Sequence, residues 1–239
     1  MDRARGPLLL GHRGAMAAEP ENTLRAFRRA IDLGLDGLEC DVQRAADGEL
    51  VLIHDDTVDR TTDGTGSVGS LTSGALAALD AGGGERIPTL AALLAYAADV
   101  ARTGPAPFLN LELKMPGVGP DTLALLDRVG YAGPVALSSF DYPTLVETRR
   151  LDSAAELWIL SSTWSEELIA QAGAIGATCL DLRHGAITAE VAARVAEAGL
   201  GLVAWTVNEP EDIRRLRALR PPLRALIGNY PERLLAGGD

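Results

Sequence analysis

The run Gly37-Leu38-Glu39-Cys40-Asp41-Val42-Gln43-Arg44-Ala45-Ala46-Asp47-Gly48-Glu49-Leu50-Val51-Leu52-Ile53-His54 holds two strand-like segments joined by a short polar link. The first, Gly37 to Gln43, places Glu39 and Asp41 on one face, because side chains alternate along a strand with period two. The second, Glu49 to His54, follows too soon to be its parallel neighbour, since a parallel crossover takes about a dozen residues or more. Asp47-Gly48 is instead a two-residue hairpin signal. Centring a hairpin there pairs Ala46 with Glu49, Arg44 with Val51 and Asp41 with His54. Glu49 to His54 is then a returning arm and leaves the strand count.

Without that arm, eight strands remain: Pro7 to Gly11, Gly37 to Gln43, Phe108 to Lys114, Val135 to Phe140, Glu156 to Leu160, Cys179 to Arg183, Leu202 to Val207 and Arg224 to Gly228. Helical stretches separate them, among them Ser165 to Ile175 and Thr188 to Ala198. An earlier helix opens at Asn22 as its N-cap, carries Leu24, Phe27, Ala30 and Ile31 on one face, and ends at Gly34. Asp141 and Thr188 also read as N-caps, and Pro210 suits a first helical turn. Strand–helix alternation implies a parallel sheet. Eight such units in 239 residues predict a (β/α)8 TIM barrel rather than an open doubly wound sheet. The expected organisation is a single domain over 1–239, with the β-hairpin arm and a small Gly/Thr/Ser-rich insertion at about 57–86 after the second strand.

Composition removes several function classes. Against 22 Lys+Arg stand 33 Asp+Glu, and the net charge of −11 disfavours a nucleic-acid partner, which needs a basic footprint. The 47% hydrophobic content supplies a sizeable core and excludes disorder. Cys40 and Cys179 are too few for a disulfide framework and suggest no zinc site, so a reducing compartment is expected. The N-terminal residues 1–12 carry charges and only three leucines, which makes no signal-peptide core. No apolar run approaches the roughly 20 residues of a membrane-spanning helix. The expectation is a soluble cytoplasmic protein with no stable membrane insertion.

In a (β/α)8 barrel the active site lies at the C-terminal ends of the strands. The first strand ends in Gly11-His12-Arg13-Gly14, the second carries Glu39 and Asp41, and the next carries Asn110, Glu112 and Lys114 on one face. Each acid alone can be explained by solvent or by pairing with Arg13 and Lys114. Three of them on adjacent strands favour a divalent cation, and an all-oxygen set suits Mg²⁺ or Ca²⁺ better than zinc. His12 and His54 fall beside this cluster and can exchange protons near neutral pH. Arg13 and Lys114 can hold a phosphate or neutralise the acids. His184 lies past a later strand end and reads as structural.

The run Gly11-His12-Arg13-Gly14, then Pro20-Glu21-Asn22-Thr23, Leu38-Glu39-Cys40-Asp41-Val42, and His54-Asp55 followed by Asp59-Arg60-Thr61-Thr62-Asp63-Gly64-Thr65-Gly66, resembles the glycerophosphodiester phosphodiesterase family. Asn110-Leu111-Glu112-Leu113-Lys114 and Trp205-Thr206-Val207-Asn208 are similar to its later motifs. The resemblance implies a metal-dependent barrel that hydrolyses small-molecule glycerophosphodiesters to sn-glycerol 3-phosphate and an alcohol. It assigns His12 and His54 as the acid/base pair, Glu39, Asp41 and Glu112 to a divalent cation (Mg²⁺ or Ca²⁺), and Arg13 and Lys114 to the phosphate. It also implies that the insertion overhangs the mouth. Trp205 and Phe140 suit either the substrate's organic side or core packing. A lyase that stops at a cyclic phosphate and a non-catalytic binding barrel are the alternatives. One departure stands out: Ile227-Gly228-Asn229-Tyr230-Pro231 occupies a place where the family often has Thr-Asp.

Overall fold

The computed structural model describes residues 6–237. Residues 1–5, which entered the reading of the N-terminus, and the last two residues of the expected domain lie outside the described residues. Strand β1 (Leu8–His12) pairs in parallel with β2 (Gly37–Arg44), and β3 (Leu50–Leu52) returns antiparallel on the edge of β2. The circle continues through β4 (Phe108–Leu113), β5 (Val135–Ser139), β6 (Leu157–Ser161), β7 (Cys179–Arg183), β8 (Gly201–Trp205) and β9 (Ala225–Gly228). Strand β9 pairs with β1 and closes the barrel. The eight barrel strands begin and end within about two residues of the expected segments, and all are parallel.

Helices pack around this barrel: α1 (Leu24–Asp32), then α2 (Ser73–Ala78) within the insertion, α3 (Leu90–Ala101), α4 (Val118–Val129), α5 (Tyr142–Leu151), α6 (Glu167–Ile175), α7 (Ala189–Glu197), α8 (Pro210–Arg217) and α9 (Pro231–Ala236). Asp141 and Thr188 cap as expected, accepting from the backbone N–H of Thr144 and Val191, and Pro210 opens α8. Asn22 does not cap α1. Thr23 does, accepting from Ala26 N, because Asn22 has a left-handed backbone (φ 56°) and its amide is bound to Asp41.

Two apolar layers position the site. Leu38, Cys40 and Val42 face outward from β2 and pack with Phe27 and Ala30 of α1 in the layer between barrel and helices. Phe27 is fully buried there, and its truncation to Ala costs about 3–5 kcal/mol. Inside the barrel, Leu10, Phe108, Ala136, Trp158, Val203 and Ala225 form a second apolar cluster. Phe108 stacks on Trp158 with centroids 5.4 Å apart. With that part of the interior filled, the inward polar residues of β2, β4, β5 and β7 gather toward the opposite, C-terminal end.

The hairpin differs from expectation by one residue. Val42 pairs with Leu52, Gln43 with Val51 and Arg44 with Leu50, and Asp41 O accepts from Ile53 N rather than facing His54. The loop has three residues, not two. Gly48 takes a left-handed conformation (φ 89°), its N–H bonds to Ala45 O, and Ala45 N bonds to Glu49 O. This is the hairpin in which a tight turn ends on a left-handed glycine. The Asp47 carboxylate is then free to accept from Ser73 N and Oγ, which ties the hairpin tip to α2. Val58, Val68, Leu76 and Ala81 of the insertion share a small core with Ala45, Val51 and Ile53 of the hairpin.

Candidate active site

The loop after β1 begins the site. Gly14 has φ 81°, and a Cβ there would lie 2.6 Å from the Ala26 carbonyl carbon, so only glycine fits against α1. The tight turn leaves Arg13 in a left-handed conformation (φ 51°), a strained geometry for a residue with a side chain. Its backbone N–H donates to Glu39 Oε2 (3.0 Å), while its guanidinium reaches Asp41 (3.2 Å) and Glu21 (2.8 Å). Lys114 Nζ lies 2.8 Å from Glu112 and 3.5 Å from Asp41. Both cations therefore neutralise the acid cluster in this structure.

Glu39, Asp41 and Glu112 are all buried, and each offers an oxygen within 4.8 Å of the others. A hard cation bound at about 2.0–2.6 Å can bridge oxygens at that spread. Asp41 Oδ1 is buried without a hydrogen bond, as a waiting ligand atom would be. Burial first, and then the neighbouring acids, hold the Glu39 carboxyl well above the ordinary carboxylate range. Burial and Asp41 raise Glu112 in the same way. Even with Arg13 and Lys114 beside them, two of the three buried carboxyls are held above their ordinary range, and the all-oxygen donor set fits a divalent ion.

The histidines line one pocket with Glu39, Glu112 and Arg13, about 370 Å³ of space that includes open solvent, and Asp41 adjoins it through Arg13. His12 Nε2 lies 3.9 Å from Glu39, and His12 Nδ1 is 2.7 Å from Asn229 Oδ1. Burial, reinforced by the Arg13 charge, pushes the His12 imidazole down to about 4. His54 is held differently. Its Nδ1 is 2.7 Å from Asp55 Oδ1, and Asp55 is gripped by Arg60 through bonds of 2.6 and 3.0 Å. Those Arg60 bonds, then His54, hold the Asp55 carboxyl far below its usual range despite partial burial. Arg60 also forks onto Glu21 (2.8 and 2.9 Å), whose other partner is Arg13. A chain of ion pairs thus runs from His54 through the insertion to Arg13.

All seven expected residues meet at this mouth, despite the one-residue slip that removed His54 from its place opposite Asp41. His184 lies elsewhere, with Nδ1 3.6 Å from Asp212. Phe140 and Trp205 line the pocket, packed edge-to-face with centroids 5.5 Å apart, and Phe140 is 50% exposed. Four contributors were missed or set aside by sequence reasoning. Asn22 Nδ2 donates to Asp41 Oδ2 (2.8 Å) while its Oδ1 accepts from Asp41 N. Glu21, Arg60 and Asn229 hold Arg13 and the two histidines as described. Asn22 and Glu21 stood in a quoted motif, but a capping asparagine explained the pair equally well. Asn229 was visible only as a departure.

Residues 12–232 match the sequence model of the Glycerophosphoryl diester phosphodiesterase family. A glycerophosphodiester phosphodiesterase of Caldanaerobacter subterraneus subsp. tengcongensis is 33% identical over 95% of this chain and 96% of its own length. The structure of an Oleispira antarctica phosphodiesterase in complex with the product sn-glycerol-3-phosphate is similar at TM-score 0.85 and 26% identity, covering 97% of this chain and 96% of that one. A glycerophosphodiester phosphodiesterase from Agrobacterium tumefaciens shares the fold at TM-score 0.82 and 24% identity, covering 96% and 99%. Among the described residues no helix is long and apolar enough to cross a membrane. Sequence match, barrel and acid-lined mouth agree, and the chain belongs to the glycerophosphoryl diester phosphodiesterase family.

Proposed function

We propose that this phosphodiesterase hydrolyses glycerophosphodiesters to sn-glycerol 3-phosphate and an alcohol, by two-histidine acid/base catalysis at a divalent-cation site. The observation that carries the reading is that His12 and His54 share one pocket with Glu39, Glu112 and Arg13, and that Asp41 completes the acid cluster beside it. The product complex of the Oleispira relative supports the product named here. Glu39, Asp41 and Glu112 would hold the ion, Mg²⁺ or Ca²⁺, which when bound supplies positive charge to the phosphate oxygens. Arg13 and Lys114 then turn from the acids toward the phosphate, Arg13 as a planar fork and Lys114 as a point charge.

The partners of the histidines divide their roles. Asn229 Oδ1 can only accept, so His12 carries its proton on Nδ1 and presents a lone pair at Nε2. His12 therefore takes the proton of the attacking hydroxyl, whether of water or of the neighbouring glycerol carbon. His54 Nδ1 faces the Asp55 carboxylate, which can only accept, so the ring is held with Nε2 toward the pocket. His54 accordingly gives a proton to the leaving alcohol oxygen as its bond to phosphorus breaks.

The test is coupled detection of sn-glycerol 3-phosphate from glycerophosphocholine, with and without a chelator. Full activity in His12→Ala or His54→Ala sinks the acid/base reading. Release that is indifferent to chelation sinks the cation.

A further inference from the structure

Gln43 reaches His54 from a place that neither the sequence motifs nor the pocket marks. It follows Glu39 and Asp41 at steps of two along β2, so it shares their face and stands one step, about 6.6 Å, nearer the rim. The residue is buried, at 4% exposure. Its Nε2 lies 3.1 Å from Ile53 O, 3.1 Å from His54 O and 2.8 Å from Asp55 O. Carbonyl oxygens only accept, so the amide nitrogen with its two N–H donors faces all three.

Those carbonyls depend on it. Strand β3 ends at Leu52, and Ile53 N still donates to Asp41 O. Among the described residues no backbone N–H donates to the carbonyls of residues 53–55. Three consecutive carbonyls turned to one point repel one another, and a buried backbone acceptor needs a donor. The segment they belong to is the one that brings the His54 ring into the pocket. That ring is tied by Nδ1 to Asp55 Oδ1, and Asp55 is itself the third residue of the clamp. Gln43 thus sets where the His54 backbone stands, and Asp55 sets the rotation of the ring. The anchor is firm, because β2 pairs with β4 on one side and with β3 on the other.

We infer that Gln43 is a positioning residue for proton transfer to the leaving alcohol: its amide ties residues 53–55 to the barrel wall and so holds His54 at its place in the mouth. The inference rests on the function proposed above. Misplacing a catalytic group by about 1 Å costs on the order of 10²-fold in rate. Arg13 and Lys114, the candidate phosphate groups, stand after β1 and β4 and are held from there. Loss of the clamp is therefore felt in kcat more than in KM, and only where the departing oxygen needs a proton.

The test is Gln43→Met, which keeps the length of the side chain and removes both donors. It is assayed with the cation on glycerophosphocholine and on the p-nitrophenyl ester of glycerol 3-phosphate. The expected result is a kcat about tenfold or more lower on glycerophosphocholine and less than about threefold lower on the nitrophenyl ester, whose leaving oxygen needs no proton. In a His54→Ala background the same substitution should cost less than about twofold, because the residue it positions is gone. Equal losses on the two substrates, or the same loss with and without His54, overturn the inference and leave Gln43 a part of the fold. The imidazole NMR signals give a readout independent of activity, since the chain has only three histidines. The His54 signal should move in Gln43→Met while that of His184 stays, and an unmoved His54 signal also overturns the inference. If Gln43→Met does not fold, Gln43→Asn, which keeps the amide but draws it back by one methylene, carries the same comparisons. A wild type inactive on glycerophosphocholine overturns the parent function instead, and the imidazole signals then decide whether Gln43 places His54.

Discussion

Asn229 holds the ring of His12, with its side-chain oxygen 2.7 Å from His12 Nδ1, and Asn208 in turn holds Asn229 by accepting its backbone N–H at 2.9 Å. Asn229, in the stretch Ile227-Gly228-Asn229-Tyr230-Pro231, thus supports a catalytic candidate. A neutral amide fixes the tautomer without adding a charge, so burial prevails and His12 stays unprotonated down to about 4.

That relationship predicts the acid limb of the pH profile. Exchanging the amide for a carboxylate by Asn229→Asp stabilises the imidazolium and raises the His12 pKa by about 1–3 units. The base is then lost at higher pH, so the acid limb of kcat/KM moves upward by at least about one unit, with a smaller change above pH 8. The linked stability has a definite sign. Because the folded pKa is depressed, the unfolded chain binds the proton first, and stability falls as pH drops from about 6.5 to about 4. A profile that does not move in Asn229→Asp argues that His12 is not the base.

A second prediction separates the two histidines by leaving group. A general acid matters when the departing oxygen is strongly basic and little when it is not. His54→Ala should lose about 10²–10⁴-fold on glycerophosphocholine but far less on a p-nitrophenyl ester of glycerol 3-phosphate. His12→Ala should lose heavily on both. Reversed behaviour exchanges the roles.

The barrel was legible because its signal is repeated eight times and each repeat constrains the next. The arm was recognised for a reason of length alone, since no parallel crossover fits between Val42 and Glu49. Its register was not, because Asp47-Gly48 serves both a two-residue turn and a three-residue loop ending on Gly48. The two differ only in backbone torsions and in the reach of Asp47 to Ser73. The acids, Arg13 and Lys114 were legible from parity on adjacent strands. Asn22, Arg60 and Asn229 were not, because each acts through a contact 19 to 217 residues away in sequence, and no local pattern marks the partner.

Divalent ion binding should be visible in stability as well as rate. Glu39 and Glu112 have folded pKa values raised by burial and by each other's neighbours, so in the ion-free protein stability is greatest below the unfolded carboxylate pKa and falls as pH rises through the folded values. An ion must displace those protons, and its effect therefore grows with pH. At a hundredfold excess over Kd the gain is about 2.7 kcal/mol. In a protein of this size that corresponds to a rise of about 5–10 °C in melting temperature. The measurement is a thermal shift with Mg²⁺ or Ca²⁺ from pH 5 to 8. Glu39→Gln should abolish most of the rise, and a rise that is flat with pH would argue against ligation by these acids.

Arg60 is the remaining joint, since among the described residues it alone spans Asp55 and Glu21, with four hydrogen bonds. Its side chain is 49% exposed, so its direct contribution to stability is small, roughly 1 kcal/mol or less after screening by solvent. Its consequence lies in aim. Without it, Asp55 no longer has a fixed carboxylate to offer His54 Nδ1, and Glu21 no longer braces Arg13 from both sides. Arg60→Ala should therefore lower kcat/KM about tenfold or more while the melting temperature changes by less than about 4 °C. Arg60→Lys should recover little, because an ammonium cannot fork onto two carboxylates in one plane. The double variant Arg60→Ala/Asp55→Asn should lose scarcely more than the worse single one, since both break the same chain. Fully additive losses would show that Arg60 and Asp55 act on separate parts of the site.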